Sequence, residues 1–313
     1  MKRRWLDANP WIWSLIGALI VWGLTAASVE GRGAGETLSV ALGFATFYVI
    51  VGIGQMLVIS TGPGNIDLSI PSVMMLSGYL SMGSMHARDS GLALGVAIAL
   101  GVGLAAGIAN VVLIRGLRIP PMIATLAAGF VMQSMTIAYS RGSTAKPAPA
   151  LLNFSLSHIA GIPVIALLFL AVAGLVAVAL ARSTFGRSVL AIGQNARAAY
   201  LAGVAIPRTM AAVYILSALL ASVAGLLLAA YSGGASLNMA EDFLLMSIAV
   251  VVLGGTSIAG GQATVAGVWT ASLFLYLIVT MLNVLGVSAG LRYVVTGLII
   301  IGVLAVSKGR RAA

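Results

Sequence analysis

Long apolar runs, each bounded by a short polar break or by glycine and proline, recur from one end of the chain to the other. A bilayer core of about 30 Å is crossed by roughly 20 apolar residues in a helix, fewer where the helix is broken or buried among others. Ten runs meet or approach that length: residues 11–28, 37–60, 72–85, 92–114, 122–140, 162–181, 209–231, 243–253, 264–284 and 291–306. The third and eighth are short, which leaves eight or nine crossings as the alternative count. No polar block between them is long enough to build a core of its own. The pattern therefore predicts an all-α, polytopic membrane protein with one transmembrane domain over residues 1–313.

Composition sharpens this picture. The chain is 60% hydrophobic and 8% charged, with a mean hydropathy of +1.10, where a typical soluble domain carries roughly 25% charged residues. The net charge of +10 lies at the ends of apolar runs and forms no stripe on one face, so nucleic acid is not an expected partner. There is no cysteine, and His86 and His158 are the only imidazoles. No catalytic, metal or cofactor-binding residue is therefore expected. The opening Met1-Lys2-Arg3-Arg4 and the apolar run after it resemble a secretory signal, but length and flanks favour a retained first span.

Basic residues near span ends stay on the cytoplasmic side. With the amino terminus inside and ten spans, twelve basic residues fall inside, among them Lys2, Arg3, Arg4, Arg115, Arg118, Arg182, Lys308, Arg310 and Arg311. The other five of the 17 fall outside: Arg32, Arg88, Arg141, Lys146 and Arg292. Glu30, Glu36, Asp89, Glu241 and Asp242 also fall outside. Both termini are expected to be cytoplasmic. Most of the 38 glycines read as packing residues, because small residues let helix backbones approach where lipid gives no hydrophobic drive for association.

Three stretches are not explained by spanning. The first runs Thr61-Gly62-Pro63-Gly64-Asn65-Ile66-Asp67-Leu68-Ser69-Ile70-Pro71. Broken backbone at membrane depth is tolerated when it is buried in protein or lines a watery cavity. Asn65, Asp67 and Ser69 are thus candidates for a translocation path, with helix capping by Asp67 or Ser69, and Pro71 in the first turn, as the alternative.

The second is the inner loop 182–208, with four arginines and no acid. Read as one helix, it places Ala191, Asn195, Ala198, Ala199 and Ala202 on one smooth face, with Arg187, Gln194 and Arg197 toward another side and Gly203 with Pro207 as the stop. Such a helix suits a groove on a partner protein. Its apolar face is too small for a membrane-surface helix.

The third, Leu253-Gly254-Gly255-Thr256-Ser257-Ile258-Ala259-Gly260-Gly261-Gln262, lets the chain turn tightly while Thr256 and Ser257 satisfy freed backbone groups. No Gly-Lys dipeptide occurs anywhere, so the phosphate-loop pattern is absent.

In this order the three stretches resemble the permease family of bacterial sugar importers, the ribose-type branch of ATP-binding-cassette uptake systems, with branched-chain amino acid permeases as more distant relatives. The likeness rests on Gly64-Asn65-Ile66-Asp67-Leu68-Ser69; on Phe185, Gly186, Arg187, Ala191, Ile192, Gly193, Asn195, Ala198, Ala199 and Gly203; and on Ile248 through Ser257 followed by Gly260-Gly261. The chain departs from the pattern at Pro63, Asn65 and Pro71, and at Phe243-Leu244-Leu245-Met246, where relatives commonly carry Tyr-Glu-Leu-Asp.

The resemblance implies a permease subunit in a bacterial inner membrane, moving a monosaccharide or similar solute by alternating access. It implies a second permease subunit, identical or paralogous, a cytoplasmic ATPase that holds ATP-Mg, and a periplasmic solute-binding protein. The loop from Phe185 to Gly203, with Arg197 on its basic flank, would then transmit ATPase motion, while Thr256 and Ser257 join the path candidates. The competing readings are an ion-coupled secondary transporter, which usually places several ionisable groups within its spans, and an intramembrane hydrolase, which needs a clustered nucleophile and base.

Overall fold

The computed structural model describes residues 11–28, 33–141 and 145–309. Lys2, Arg3, Arg4, Glu30, Arg32, Arg310 and Arg311 of the charge argument lie outside the described residues. Each of the ten apolar runs is helical: α1 (Trp11–Ser28), α2 (Ala34–Ser60), α3 (Ile70–Met85), α4 (Leu92–Val111), α5 (Pro121–Ser140), α7 (Val164–Arg182), α10 (Ile206–Tyr231), α11 (Phe243–Leu253), α12 (Val265–Val284) and α13 (Ala289–Gly309). Three shorter helices, α6 (Pro149–Leu156), α8 (Thr184–Gln194) and α9 (Ala196–Leu201), sit between them. A two-stranded antiparallel hairpin pairs β1 (His158–Ile159) with β2 (Ile162–Pro163) before α7. Among the described residues seven helices are long and apolar enough to cross a membrane, so the protein is an all-α polytopic membrane protein.

Local chemistry sets the helix starts. Pro71, Pro121 and Pro207 lie in the first turns of α3, α5 and α10, where the missing N–H costs nothing and the fixed φ is already helical. Pro207 therefore opens α10, whereas Gly203, at φ +82°, ends the element before it. The last turn of α4 widens into a π turn over Val112–Gly116.

The loop 182–208 departs from the single helix expected. Asn195 is extended, at φ −162° and ψ 101°, and divides α8 from α9. Its Oδ1 accepts a hydrogen bond from Ala198 N at 3.0 Å, capping α9. The continuous smooth face from Ala191 to Ala202 is therefore broken. An asparagine side chain competes well for backbone donors at a helix start and poorly inside a helix, and here the competition decides for the cap.

Helix α2 is the axis of the molecule: from Phe47 to Ser60 every residue is buried. It runs antiparallel to α10, with Phe47 packing on Tyr231 and Gly54 on Ser217, and antiparallel to α12, with Phe44 on Tyr276 and Gly52 on Val268. It runs parallel to α11, with Tyr48 on Phe243 and Gly52 also meeting Val250. Helix α10 repeats this scheme. It is antiparallel to α4 through Gly103 on Ser222 and Gly107 on Ile215, and parallel to α3 through Met74 on Gly225 and Gly78 on Ala229.

The contacts of α3 with α4 and α5 likewise recur in those of α11 with α12 and α13. The helices α2 to α5 and α10 to α13 thus form an inverted repeat. Glycine stands at these crossings because added atoms would meet the facing helix. A Cβ on Gly225 would overlap the backbone of Met74, and one on Gly267 the carbonyl of Gly254.

Candidate functional site

The first of the three stretches leaves α2 at Thr61. Gly62 and Gly64, at φ +133° and +80°, make the turn around Pro63, conformations that only glycine adopts without strain. Asn65 Nδ2 reaches back to Thr61 Oγ1 at 3.0 Å, and Thr61 Oγ1 donates to Val58 O at 2.6 Å. The chain then turns inward, and Asp67 and Ser69 are wholly buried.

A buried carboxylate needs hydrogen-bond donors, and Asp67 has them. Its Oδ1 accepts from Ser69 N at 3.0 Å and from Ser69 Oγ at 2.6 Å, while its Oδ2 accepts from Ser217 Oγ of α10 at 2.7 Å. Around it Asp67 N donates to Gln55 Oε1 of α2 at 3.2 Å, Asn110 Nδ2 of α4 donates to Ser69 Oγ at 2.9 Å, and Leu68 N donates to Thr125 Oγ1 of α5 at 3.0 Å. One short segment is thereby tied to four helices. Ser69 takes the N-cap position of α3 with no side-chain cap bond; its hydroxyl is spent on Asp67. In this conformation Asp67 and Ser69 anchor the segment and present no surface to a solute, whereas Asn65 is half-buried.

The second stretch begins with Ser183, whose Oγ accepts from Gly186 N at 3.0 Å and caps α8. Gly186 lies against the backbone of Ala179 and Leu180, so α8 folds tightly back on α7. Gly186, Val189 and Ile192 are buried, while Arg187 and Arg197 are exposed and Phe185 and Ala191 half-buried. On α9, Ala199 is buried and Asn195 and Ala198 are exposed.

At the carboxyl end of α8 all three stretches meet. A Cβ on Gly193 would overlap Ser60 O and Gly261 N, and one on Gly260 would lie 2.5 Å from Gly62 Cα and 3.1 Å from Gly193 Cα. Gly261 N donates to Ser60 O at 2.9 Å, Ser60 Oγ to Gln262 O at 3.3 Å, and Gln194 Nε2 to Gly261 O at 3.3 Å. Gly260 and Gly261, at φ +86° and +76°, supply the left-handed turns. Within the third stretch Thr256 Oγ1 accepts from Thr264 N at 3.3 Å, and Ser257 N donates to Gln262 O at 3.4 Å. Thr256 is buried and Ser257 half-buried.

The candidates thus divide into a buried anchor (Asp67, Ser69), a backbone junction (Gly193 with residues of the first and third stretches) and an exposed basic flank (Arg187, Arg197). The sequence reading missed Gln55, Asn110, Thr125 and Ser217. Each is a polar residue in a largely apolar helix, a signal that was present in the chain but carried no partner until the helices were packed.

The protein-family model described as branched-chain amino acid transport system / permease component matches residues 37–304. The ribose import permease protein of Bacillus subtilis (strain 168) is 34% identical over 255 residues, covering 80% of this chain and 78% of the relative. A probable ABC transporter permease protein of Sinorhizobium fredii (strain NBRC 101917 / NGR234) is 36% identical over 272 residues, with 85% and 80% covered. The L-arabinose transport system permease protein of Escherichia coli (strain K12) is 32% identical over 283 residues, with 86% and 85% covered. No solved structure matches the chain.

Proposed function

The chain belongs to the family of branched-chain amino acid transport system / permease components, and from that premise we propose that it is the membrane-spanning permease subunit of an ATP-binding-cassette importer for a monosaccharide or similar small polar solute. The observation that carries this reading is the junction at Gly193. Helix α8, with its exposed basic flank, is in backbone contact with both breaks that interrupt the repeats, so a displacement at the surface reaches the core without passing through a flexible side chain. The sugar class follows from the ribose and arabinose permeases among the relatives.

The chain crosses a bacterial inner membrane ten times with both termini cytoplasmic, by the distribution of basic residues. A second permease subunit, identical or paralogous, encloses the path with it. A cytoplasmic ATPase that binds ATP-Mg docks on α8 and α9, and a periplasmic binding protein delivers the solute. Transport proceeds by alternating access, and work enters through the small contact at α8. Asn65 and Ser257 are the members of the expected path set with surface to offer a solute in this conformation.

The test is reconstitution with the ATPase and binding protein that co-purify with the chain. ATP-driven uptake of D-ribose or L-arabinose is expected, and Arg187→Glu is expected to lower transport per ATP hydrolysed at least tenfold while the protein still inserts. A chain that, alone in liposomes, concentrates either sugar against its gradient would sink the proposal. The family's own description favours a second reading, branched-chain amino acids, which uptake of L-leucine in place of either pentose would establish.

A further inference from the structure

A cavity of about 180 Å³ lies between the first broken segment, α3, α5 and the entry to α11. Its wall includes Leu68, Ser72, Gly129, Phe130, Gln133 and Glu241. Gln133 lies near the middle of α5, followed by Ser134, and is exposed; its amide is the largest polar group of a mainly apolar helix. An exposed amide at that depth would face hydrocarbon with no partner, a cost of several kcal/mol per polar group, unless water, a polar solute or a facing subunit lies beside it. Gly129, one turn earlier on the same face, brings α5 close to α3: a Cβ there would sit 3.3 Å from Ser72 Oγ. Phe130, 60% exposed, adds an aromatic face beside Gln133.

Glu241 closes the wall from the loop between α10 and α11. Both Glu241 and its neighbour Asp242 are exposed; burial first and the Glu241 carboxylate second push the Asp242 carboxyl above its ordinary range. A second cavity of about 430 Å³, on another side of α5, has the opposite character. It is lined by Leu76, Val102, Ala106, Leu113 and Met132 among other apolar side chains.

We infer that the wall formed by Ser72, Phe130, Gln133 and Glu241 is a solute subsite that receives a polyhydroxylated ligand, the ligand class resting on the proposed function above. An amide, a hydroxyl and a carboxylate together donate to and accept from vicinal hydroxyls, and the Phe130 ring covers the apolar C–H face that a sugar also presents. Small-molecule sites run to roughly 300–1,000 Å³, so this chain supplies one wall and a facing permease subunit completes the site.

The chain has no cysteine, so a single introduced cysteine is the one thiol of this subunit, and labelling is read on its own band after the subunits are separated. Gln133→Cys, Ser72→Cys and, should either fail to assemble, Phe130→Cys are exposed to a charged, membrane-impermeant methanethiosulfonate in the complete importer in proteoliposomes. The control is Leu175→Cys, on the apolar flank of α7 and 71% exposed. Cavity positions are expected to react at least tenfold faster than the control, and D-ribose or L-arabinose to slow them where L-leucine does not. Rates equal to the control overturn the site. Rates that neither pentose slows, or that only L-leucine slows, overturn the ligand class. Loss of pentose uptake by the unmodified importer would instead sink the proposed function, and the rate comparison with Leu175→Cys does not depend on it.

Discussion

The segment between α2 and α3 is held by opposite means at its two ends. At Ser60 to Gly62 the close contacts are backbone against backbone, joined by single bonds from the Ser60 and Gln194 side chains, and they exist because Gly62, Gly193, Gly260 and Gly261 have no side chains to keep the strands of chain apart. At Asp67 to Ser69 they are side-chain hydrogen bonds in a wholly buried pocket, drawn from α2, α4 and α10, with α5 holding the adjoining Leu68 N–H. A carboxylate with three directional partners defines one orientation, so the inner end of the segment is fixed. A glycine contact chiefly defines distance, and at Gly193 no side chain lies between the backbone of α8 and that of Ser60. The comparison separates an anchor from a lever within ten residues of chain.

The anchor carries the larger energy. Asp67→Ala strands the hydroxyls of Ser69 and Ser217 in a buried site, at about 1–3 kcal/mol each, so a loss of about 2–6 kcal/mol is expected as a lowered Tm in detergent. An unchanged Tm would mean that the segment is held at its glycine end alone. At the lever, Gly193→Val drives a branched side chain into Ser60 and Gly261, for which overpacking costs about 1–3 kcal/mol. Here the decisive measurement is transport per ATP hydrolysed, expected to fall at least tenfold; normal coupling would remove the lever from the comparison.

Ser217→Ala removes one donor from a carboxylate that keeps its two bonds from Ser69, and a loss of about 1–2 kcal/mol is expected, readable in the same thermal assay. A loss as large as that of Asp67→Ala would show that α10 alone holds the anchor. The smallest effect is expected at Asn195→Ala, which removes the α9 cap for about 1 kcal/mol. A rise in helical circular dichroism with intact coupling would show that the break between α8 and α9 is dispensable.

Much of the architecture was legible along the chain because a helix that faces lipid or other helices must be an unbroken apolar run. The ten runs read from hydropathy became ten helices, with α1 and α11 ending where the runs end. The broken segments were also legible, since glycine and proline interrupt an apolar run for few other reasons. The division at Asn195 was not, because the small residues on either side suit a continuous helix and the deciding cap is a single hydrogen bond. Gln133 and Glu241 were passed over for a related reason: residues more than a hundred positions apart acquire a joint meaning only when two helices and a loop enclose a common space.

The chain by itself therefore determined class, helix positions and the places where helices break, since these depend on local hydrophobicity and on backbone freedom. Only the tertiary structure decided which polar residues serve as anchors and which face a cavity. Asp67 and Gln133 are each a polar residue in a mainly apolar stretch of chain. Burial against Ser69 and Ser217 makes the first a tie between helices, and exposure to a shared cavity makes the second available to a ligand, because a polar group is defined by the partners that packing places around it.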